Sequence, residues 1–293
     1  MRKKVITAAA GATVLKPKKI VHYTAEYIIN PPHPVTINVI GCGGTGSQVL
    51  ASLARMHSAL IALGHPGFFV RAIDPDKVSP ANMGRQLFSS SDIDSFKCMV
   101  LIGRINRFFG TDWEGIPELY DTNSQHMANI TISCVDSGPA RKEIKNRLLA
   151  AITPIKIDRD ERRTSVRWVQ NRPRLEPYEQ PYYWMDYGNM MDRGQVVIGS
   201  IRDIKQPEKS EHDCRSALQT IDKIHPDIFN KGKGDQGPSC SLAEALHKQD
   251  LFINTNLANM GLGILWKMFR ELHIEYNGLY VNLKNLSVNP IKI

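Results

Sequence analysis

The sequence predicts an α/β fold with a mainly parallel sheet, and three observations carry that prediction. An apolar run, Val35–Ile40, leads into a glycine-rich turn, Gly41-Cys42-Gly43-Gly44-Thr45-Gly46-Ser47. That turn opens a helical stretch from Gln48 to Leu63. A second apolar run, Gly67–Ile73, then ends at Asp74-Pro75-Asp76. Strand, glycine turn, helix, strand and acid, in that order, describe a Rossmann-like βαβ unit. Its backbone amides and helix N-terminus receive phosphate, and its acid takes ribose hydroxyls. On these residues alone a dehydrogenase and an ATP-using enzyme both stay open.

The remaining elements follow from periodicity and punctuation. Residues 1–34 read as an irregular or partly structured arm closed by Pro31-Pro32-His33-Pro34. A polar loop, Lys77–Ser91, precedes a helix over Asp94–Phe109 whose apolar face is expected from Phe96, Met99, Val100, Ile102 and Ile105. A strand over Ile130–Val135 ends at Asp136. The next helix, Pro139–Ile152, opens on the proline that helix starts prefer. A basic insertion, 153–181, carries Arg159, Arg162, Arg163, Arg167, Arg172 and Arg174. Strands return at Tyr182–Tyr187 and Gln195–Ile201, completing a core over 35–201. Residues 202–240 read as a long crossover-type loop. The segment 241–293 finishes the same domain with a helix over Ser241–Leu272, broken near Gly261 and Gly263, and strands Gly278–Leu283 and Leu286–Ile291.

Bulk properties narrow the class. The 293 residues are 42% hydrophobic and 23% charged, as in a soluble globular protein. A net charge of +8 favours acidic partners: a nucleotide, an acidic protein or nucleic acid. The five cysteines are widely spaced without a CxxC pair, which speaks against both a disulfide framework and a paired-cysteine zinc site. No apolar run has the length of a membrane span. The weakly apolar start, followed by Lys16-Pro17-Lys18-Lys19, lacks a convincing cleavage site, so a cytoplasmic location is expected.

The stretch after the second strand separates the two cofactor readings. It runs Asp74-Pro75-Asp76, then Asn82-Met83-Gly84-Arg85-Gln86, then Phe96-Lys97, and later Ser133-Cys134-Val135-Asp136-Ser137. With the glycine cluster, this order resembles the adenylation domain of the ThiF/MoeB and ubiquitin-activating enzyme superfamily. The resemblance implies ATP-dependent adenylation of a carboxylate. Gly41, Gly43, Gly44 and Gly46 would admit the nucleotide, and Asp74 would bind ribose. Asn82, Arg85 and Lys97 would engage phosphates, Gln86 would support the arginine, and Asp136 would hold Mg²⁺. Other readings stay open on the residues themselves: Asp76 as a loop brace, Asn82 as a turn residue, and Asp136 as a helix cap.

The resemblance also implies partners: a small ubiquitin-like protein, a conjugating-enzyme-like protein and a second copy of the chain in a homodimer. One feature departs from the pattern. The family often supplies an arginine from an N-terminal helix across the dimer, yet between Lys3 and Val70 the only arginine is Arg55. A thioester acceptor is expected at Cys240, where loop meets helix, because a helix N-terminus lowers a thiol pKa. Cys214 is its rival, and Cys42, Cys98 and Cys134 read as packing residues. The closing segment, Pro238–Ser241 through Gln249–Asn254, looks most like the ThiF-related member of bacterial PRTRC cassettes. Two alternatives stand beside protein activation. One is adenylation of a non-protein or tRNA substrate, with the arginine-rich insertion serving RNA. The other is a nucleotide-binding scaffold without catalysis.

Overall fold

The computed structural model describes residues 18–83, 86–152, 175–230, 247 and 249–293. β1 (Ile20–Tyr23) and α1 (Glu26–Ile29) precede the βαβ unit of β2 (Val35–Ile40), α2 (Gly44–Ala62) and β3 (Phe68–Ile73). Then come α3 (Lys97–Phe109), β4 (Glu114–Ile116), β5 (Ile130–Ser133) and α4 (Gly138–Ile152). Beyond residue 174 lie β6 (Tyr183–Asn189), β7 (Arg193–Ser200), β8 (Asp213–Cys214) and α5 (Ile221–Ile224). α6 (Ile253–Arg270), β9 (His273–Ile274), β10 (Tyr276–Asn282) and β11 (Ser287–Lys292) close the chain.

Eight strands form one mixed sheet in the order β11-β10-β7-β6-β5-β2-β3-β4. β4, β3, β2, β5 and β6 run parallel, while β7, β10 and β11 each run antiparallel to the strand before them. Every residue of β2 is buried, as a central parallel strand covered on both faces must be. Alternate residues feed two cores. Ile37 and Val39 join α2, α3 and α6 on one face, while Ile40 joins Ile144 and Leu148 of α4 on the other. The alternation repeats in β6, where Tyr183, Met185 and Tyr187 face the first core and Trp184 the second.

β2 connects through α2 to β3 on one side, and β5 pairs with it on the other. The crevice between their C-terminal ends is the topological switch point at which open α/β sheets bind ligands.

Several elements differ from the sequence reading. α2 begins inside the glycine turn, at Gly44 rather than Gln48, because the small residues there admit helical backbone. α3 buries Ile102 and Ile105 as expected and adds Lys97, Cys98 and Leu101 to its inward face, while Met99 is 52% exposed. α6 runs unbroken through Gly261 and Gly263. At Gly261 the missing side chain makes room for a ring, since a Cβ would stand 2.4 Å from Tyr187 Oη. Within the segment read as an arm, β1 pairs with β8 and β9 in a small second sheet. Buried His22 ties that sheet to the main one through Tyr183 Oη at 3.1 Å, and its other ring nitrogen lies 2.7 Å from the carbonyl oxygen of Arg215, just after β8.

Candidate nucleotide site

A cleft of about 560 Å³ opens at the switch point and is lined by the glycine turn, the loop after β3, the segment after β5 and the start of α6. Its floor is the glycine turn. Gly41 has φ +91°, and a Cβ there would meet the Cys134 carbonyl oxygen at 2.8 Å. At Gly46 a Cβ would fall 1.8 Å from the Gly41 carbonyl oxygen, so only glycine closes this turn. Gly43 differs, because nothing lies within 4 Å of its Cβ position. It faces the open cleft as the N-cap of α2, and no side chain caps the helix. The first-turn amides and the positive end of the dipole therefore face the cleft, as an anion requires.

Asp74, at the end of β3, accepts the Cys42 amide on Oδ2 at 2.5 Å and the Asp76 amide on Oδ1 at 2.8 Å. It thus fixes the glycine turn to the loop that follows. Burial pushes its carboxyl above the ordinary range and outweighs the two amides and nearby Lys97, which act the other way. Each carboxylate oxygen has a second lone pair for a ligand hydroxyl.

Lys97 opens α3 with its side chain only 10% exposed, and its Nζ donates to Asp76 Oδ2 at 2.9 Å. Asp76 is the brace the sequence left open, holding a buried cation at the cleft wall. Asn82 accepts the Ser79 amide on Oδ1 at 2.8 Å and the Ser79 hydroxyl at 3.1 Å, which closes a single 3₁₀ turn. Its carbonyl oxygen therefore serves the turn while the residue lines the cleft. Gln86 is buried beside it, and its Oε1 has no hydrogen-bond partner among the described residues. Arg85, Cys240 and all six arginines of the basic insertion lie outside the described residues.

Asp136 follows β5 and is exposed on the opposite wall. The cap of α4 is Ser137, whose Oγ accepts the Ala140 amide at 3.4 Å. Among the described residues no three histidine, cysteine or acidic side chains cluster as a metal site. A lone carboxylate still suits Mg²⁺, which takes one or two carboxylates and completes its shell with water and phosphate oxygens. Ile40, Ile73, Tyr120, Val135 and Ile144 give the cleft an apolar side fit for a planar ring.

The structure adds residues that had no role in the site on the sequence reading. Asn189 at the end of β6, Gln249 and Asn254 line the cleft. Behind them Arg141 of α4 donates through Nε to Asp186 at 2.9 Å and through Nη2 to the Tyr187 carbonyl at 2.9 Å. Asp186 also accepts the Ser133 hydroxyl at 2.6 Å, so β5, β6 and α4 are locked together beneath Asp136. Only polar residue types near an element end signalled these positions, and nothing local says that they meet.

The cysteines divide by place. Burial raises the thiol pKa of Cys42, Cys98 and Cys134, as expected of packing residues. Cys214 lies on β8 beside β1, which also pairs with β9 just beyond the C-terminal end of α6. The cleft meets the N-terminal end of that helix at Asn254. The 18-residue helix between those ends is about 27 Å long, so Cys214 stands apart from the nucleotide turn.

Residues 33–155 match the model of the ThiF family. No curated protein matches the sequence. Among solved structures, that of E. coli MccB with ATP is similar over 88% of this chain and 63% of its own, at 15% identity and a TM-score of 0.50. The microcin C7 biosynthetic enzyme MccB in complex with N-formylated MccA gives 14% identity, 88% and 64% coverage, and a TM-score of 0.51. PaaA gives 13% identity, 88% and 64% coverage, and a TM-score of 0.51. The fold is shared, and the chain spans less than two thirds of the length of each. The narrower likeness to PRTRC cassette members finds no support in these comparisons. No helix among the described residues is long and apolar enough to cross a membrane.

Proposed function

We propose, for a chain whose residues 33–155 match the ThiF family, ATP-dependent adenylation of a substrate carboxylate. The substrate proposed is the C-terminal carboxylate of a small ubiquitin-like protein. One observation carries the reading: an uncapped helix N-terminus, a ribose-side carboxylate, a buried lysine and an exposed aspartate converge on one cleft. Crystal structures of the similarly folded MccB, one with ATP and one with N-formylated MccA, support both a nucleotide and a peptidic co-substrate.

In the reaction a carboxylate oxygen attacks the α-phosphorus of ATP. An acyl–oxygen–phosphorus link forms as the bond from that phosphorus to its β-bridging oxygen breaks. Pyrophosphate leaves with the electron pair. Two anions must meet, so the site's task is electrostatic. The amides of Gly43 and Gly44 and the α2 dipole attract the phosphates. Lys97 exchanges its Asp76 partner for a phosphate oxygen, and Arg85 forks onto another. Asp74 holds the ribose hydroxyls. Asp136 would hold Mg²⁺, which when bound would offset phosphate charge. Cys240 is the proposed acceptor if the acyl group moves on to a thioester, and a second copy of the chain is the proposed partner in a homodimer.

ATP–pyrophosphate exchange tests the reading. Exchange is expected to require a partner with an intact C-terminus and to fall by at least about 100-fold in Asp136→Ala with the fold unchanged. Undiminished exchange in that variant removes Asp136 from the site. Exchange that ignores the partner's C-terminus points instead to a non-protein or tRNA substrate. A reducible conjugate that persists in Cys240→Ala moves the acceptor elsewhere.

A further inference from the structure

Three neutral carboxamides line the cleft on the side of β6 and α6, and they are connected. Asn189 Nδ2 donates to Asn254 Oδ1 at 3.0 Å, and Asn254 Nδ2 donates to Gln249 Oε1 at 2.9 Å. Thr45, in the first turn of α2, donates its hydroxyl to the same Asn254 Oδ1 at 2.9 Å. Asn254 is 2% exposed, and its Nδ2 stands 2.5 Å from where a Gly44 Cβ would be. The chain of amides therefore joins the nucleotide turn to the end of β6 and the start of α6.

An apolar patch adjoins it in the chain. Met190 is 68% exposed, Met191 53%, Leu251 42% and Phe252 62%. The two halves of the patch are tied together, because the Asp250 amide donates to the Met191 carbonyl at 2.8 Å. Large apolar side chains left in water beside a cleft mark a contact surface. Methionines suit one that receives varied apolar side chains.

We propose that Asn189 and Gln249, held in place by buried Asn254, form the acyl-side subsite of the cleft, reading the last peptide group of a peptidyl carboxylate, with the Met190–Phe252 patch receiving apolar residues just before it. The inference rests on the adenylation reading above and deepens it. The chemistry separates the two walls. The lysine wall suits phosphate. A carboxamide both donates and accepts, which matches the C=O and N–H of a peptide unit. Asn254 contacts both α2 and the subsite, so it sets the distance between the acyl group and the phosphates.

The test uses the full chain with ATP and two defined probe sets. One is random-sequence decapeptides with free C-terminal carboxylates, and the other is free amino acids with short fatty acids. Pyrophosphate exchange is read against each, and ATP affinity is measured separately with a fluorescent analogue. Exchange is expected with the peptides and not with the small carboxylates. Asn189→Ala and Gln249→Ala are expected to raise the peptide KM about tenfold, with ATP affinity shifted less than about threefold. Phe252→Ser, at an exposed position, is expected to act in the same direction.

Exchange with only the small carboxylates, or with neither set while ATP binds, overturns the proposal. So does a loss of ATP affinity in the variants that equals the loss of peptide use, since the cluster would then only brace α2. Failure of the parent chain to bind ATP overturns the nucleotide reading itself, a separate result.

Discussion

The glycines of the nucleotide turn are not equivalent, and the difference is testable. Gly46 is required by the turn, because its Cβ would overlap the Gly41 carbonyl. Gly43 has open space on that side, so the fold does not require it. Gly46→Ala is therefore expected to lower stability by more than about 2 kcal/mol, since backbone rather than a flexible side chain must yield. Gly43→Ala should melt within about 0.5 kcal/mol of the parent yet bind ATP at least about tenfold more weakly, because the added methyl occupies space left for phosphate. Thermal melting and nucleotide titration of both variants separate the roles. Wild-type ATP affinity in Gly43→Ala would move the phosphate away from this turn. The same split between bracing and binding runs through Asp74, Asp76 and Asn82. Each already serves the loop with amide, hydroxyl or lysine bonds before any ligand arrives.

At the scale of elements, α6 joins the site to the second sheet, and its glycines show how packing overrides propensity. Ala is the better helix former by about 1 kcal/mol, so propensity favours replacing either Gly261 or Gly263. Gly263→Ala, with nothing within 4 Å of its Cβ, is expected to stabilise by about 0.5–1 kcal/mol. Gly261→Ala is expected to destabilise by about 1–3 kcal/mol, because its methyl meets the Tyr187 ring. Urea melts of the two variants should move in opposite directions. Movement in the same direction would mean that Tyr187 gives way. β6 is the other element with two duties. Its side chains build both cores, and its end carries Asn189 to the cleft.

At the scale of the molecule, buried His22 couples stability to pH where the two sheets meet. Burial lowers its pKa below the ordinary 6.5, while its bond to the Arg215 carbonyl opposes the shift. A base whose folded pKa is depressed binds its proton more tightly when unfolded. Stability from this group is thus full above about pH 6.5 and is lost as the pH falls from there through the folded value. His57 is shifted the same way, again chiefly by burial. Unfolding free energy is expected to fall as the pH drops below about 6.5, by at most about 1.4 kcal/mol per pH unit for each group. His22→Gln should flatten part of that slope, and an unchanged slope in the variant would exclude His22 as its source.

The sequence by itself determined the βαβ unit, the mainly parallel sheet and the glycine turn with Asp74 after it, while the resemblance of its motifs to a known family pointed to Lys97 and Asp136, which line the same cleft. Those features are local: a run of β-branched residues, a turn only glycine can close, acids at strand ends. Edges were harder to read. β4 and β8 are too short for a periodic pattern, and the inward face of α3 depends on what α2 and β3 present to it. Tertiary structure alone decided the far wall of the cleft. Asn189 and Asn254 are 65 positions apart, and Thr45 and Asn254 are 209 apart. No local preference encodes such a meeting. It follows from β5 and β6 adding to one side of β2 while α6 packs against α2, which brings distant amides to one crevice. A single side chain states its chemistry in the sequence, but its partners are chosen by the path of the chain.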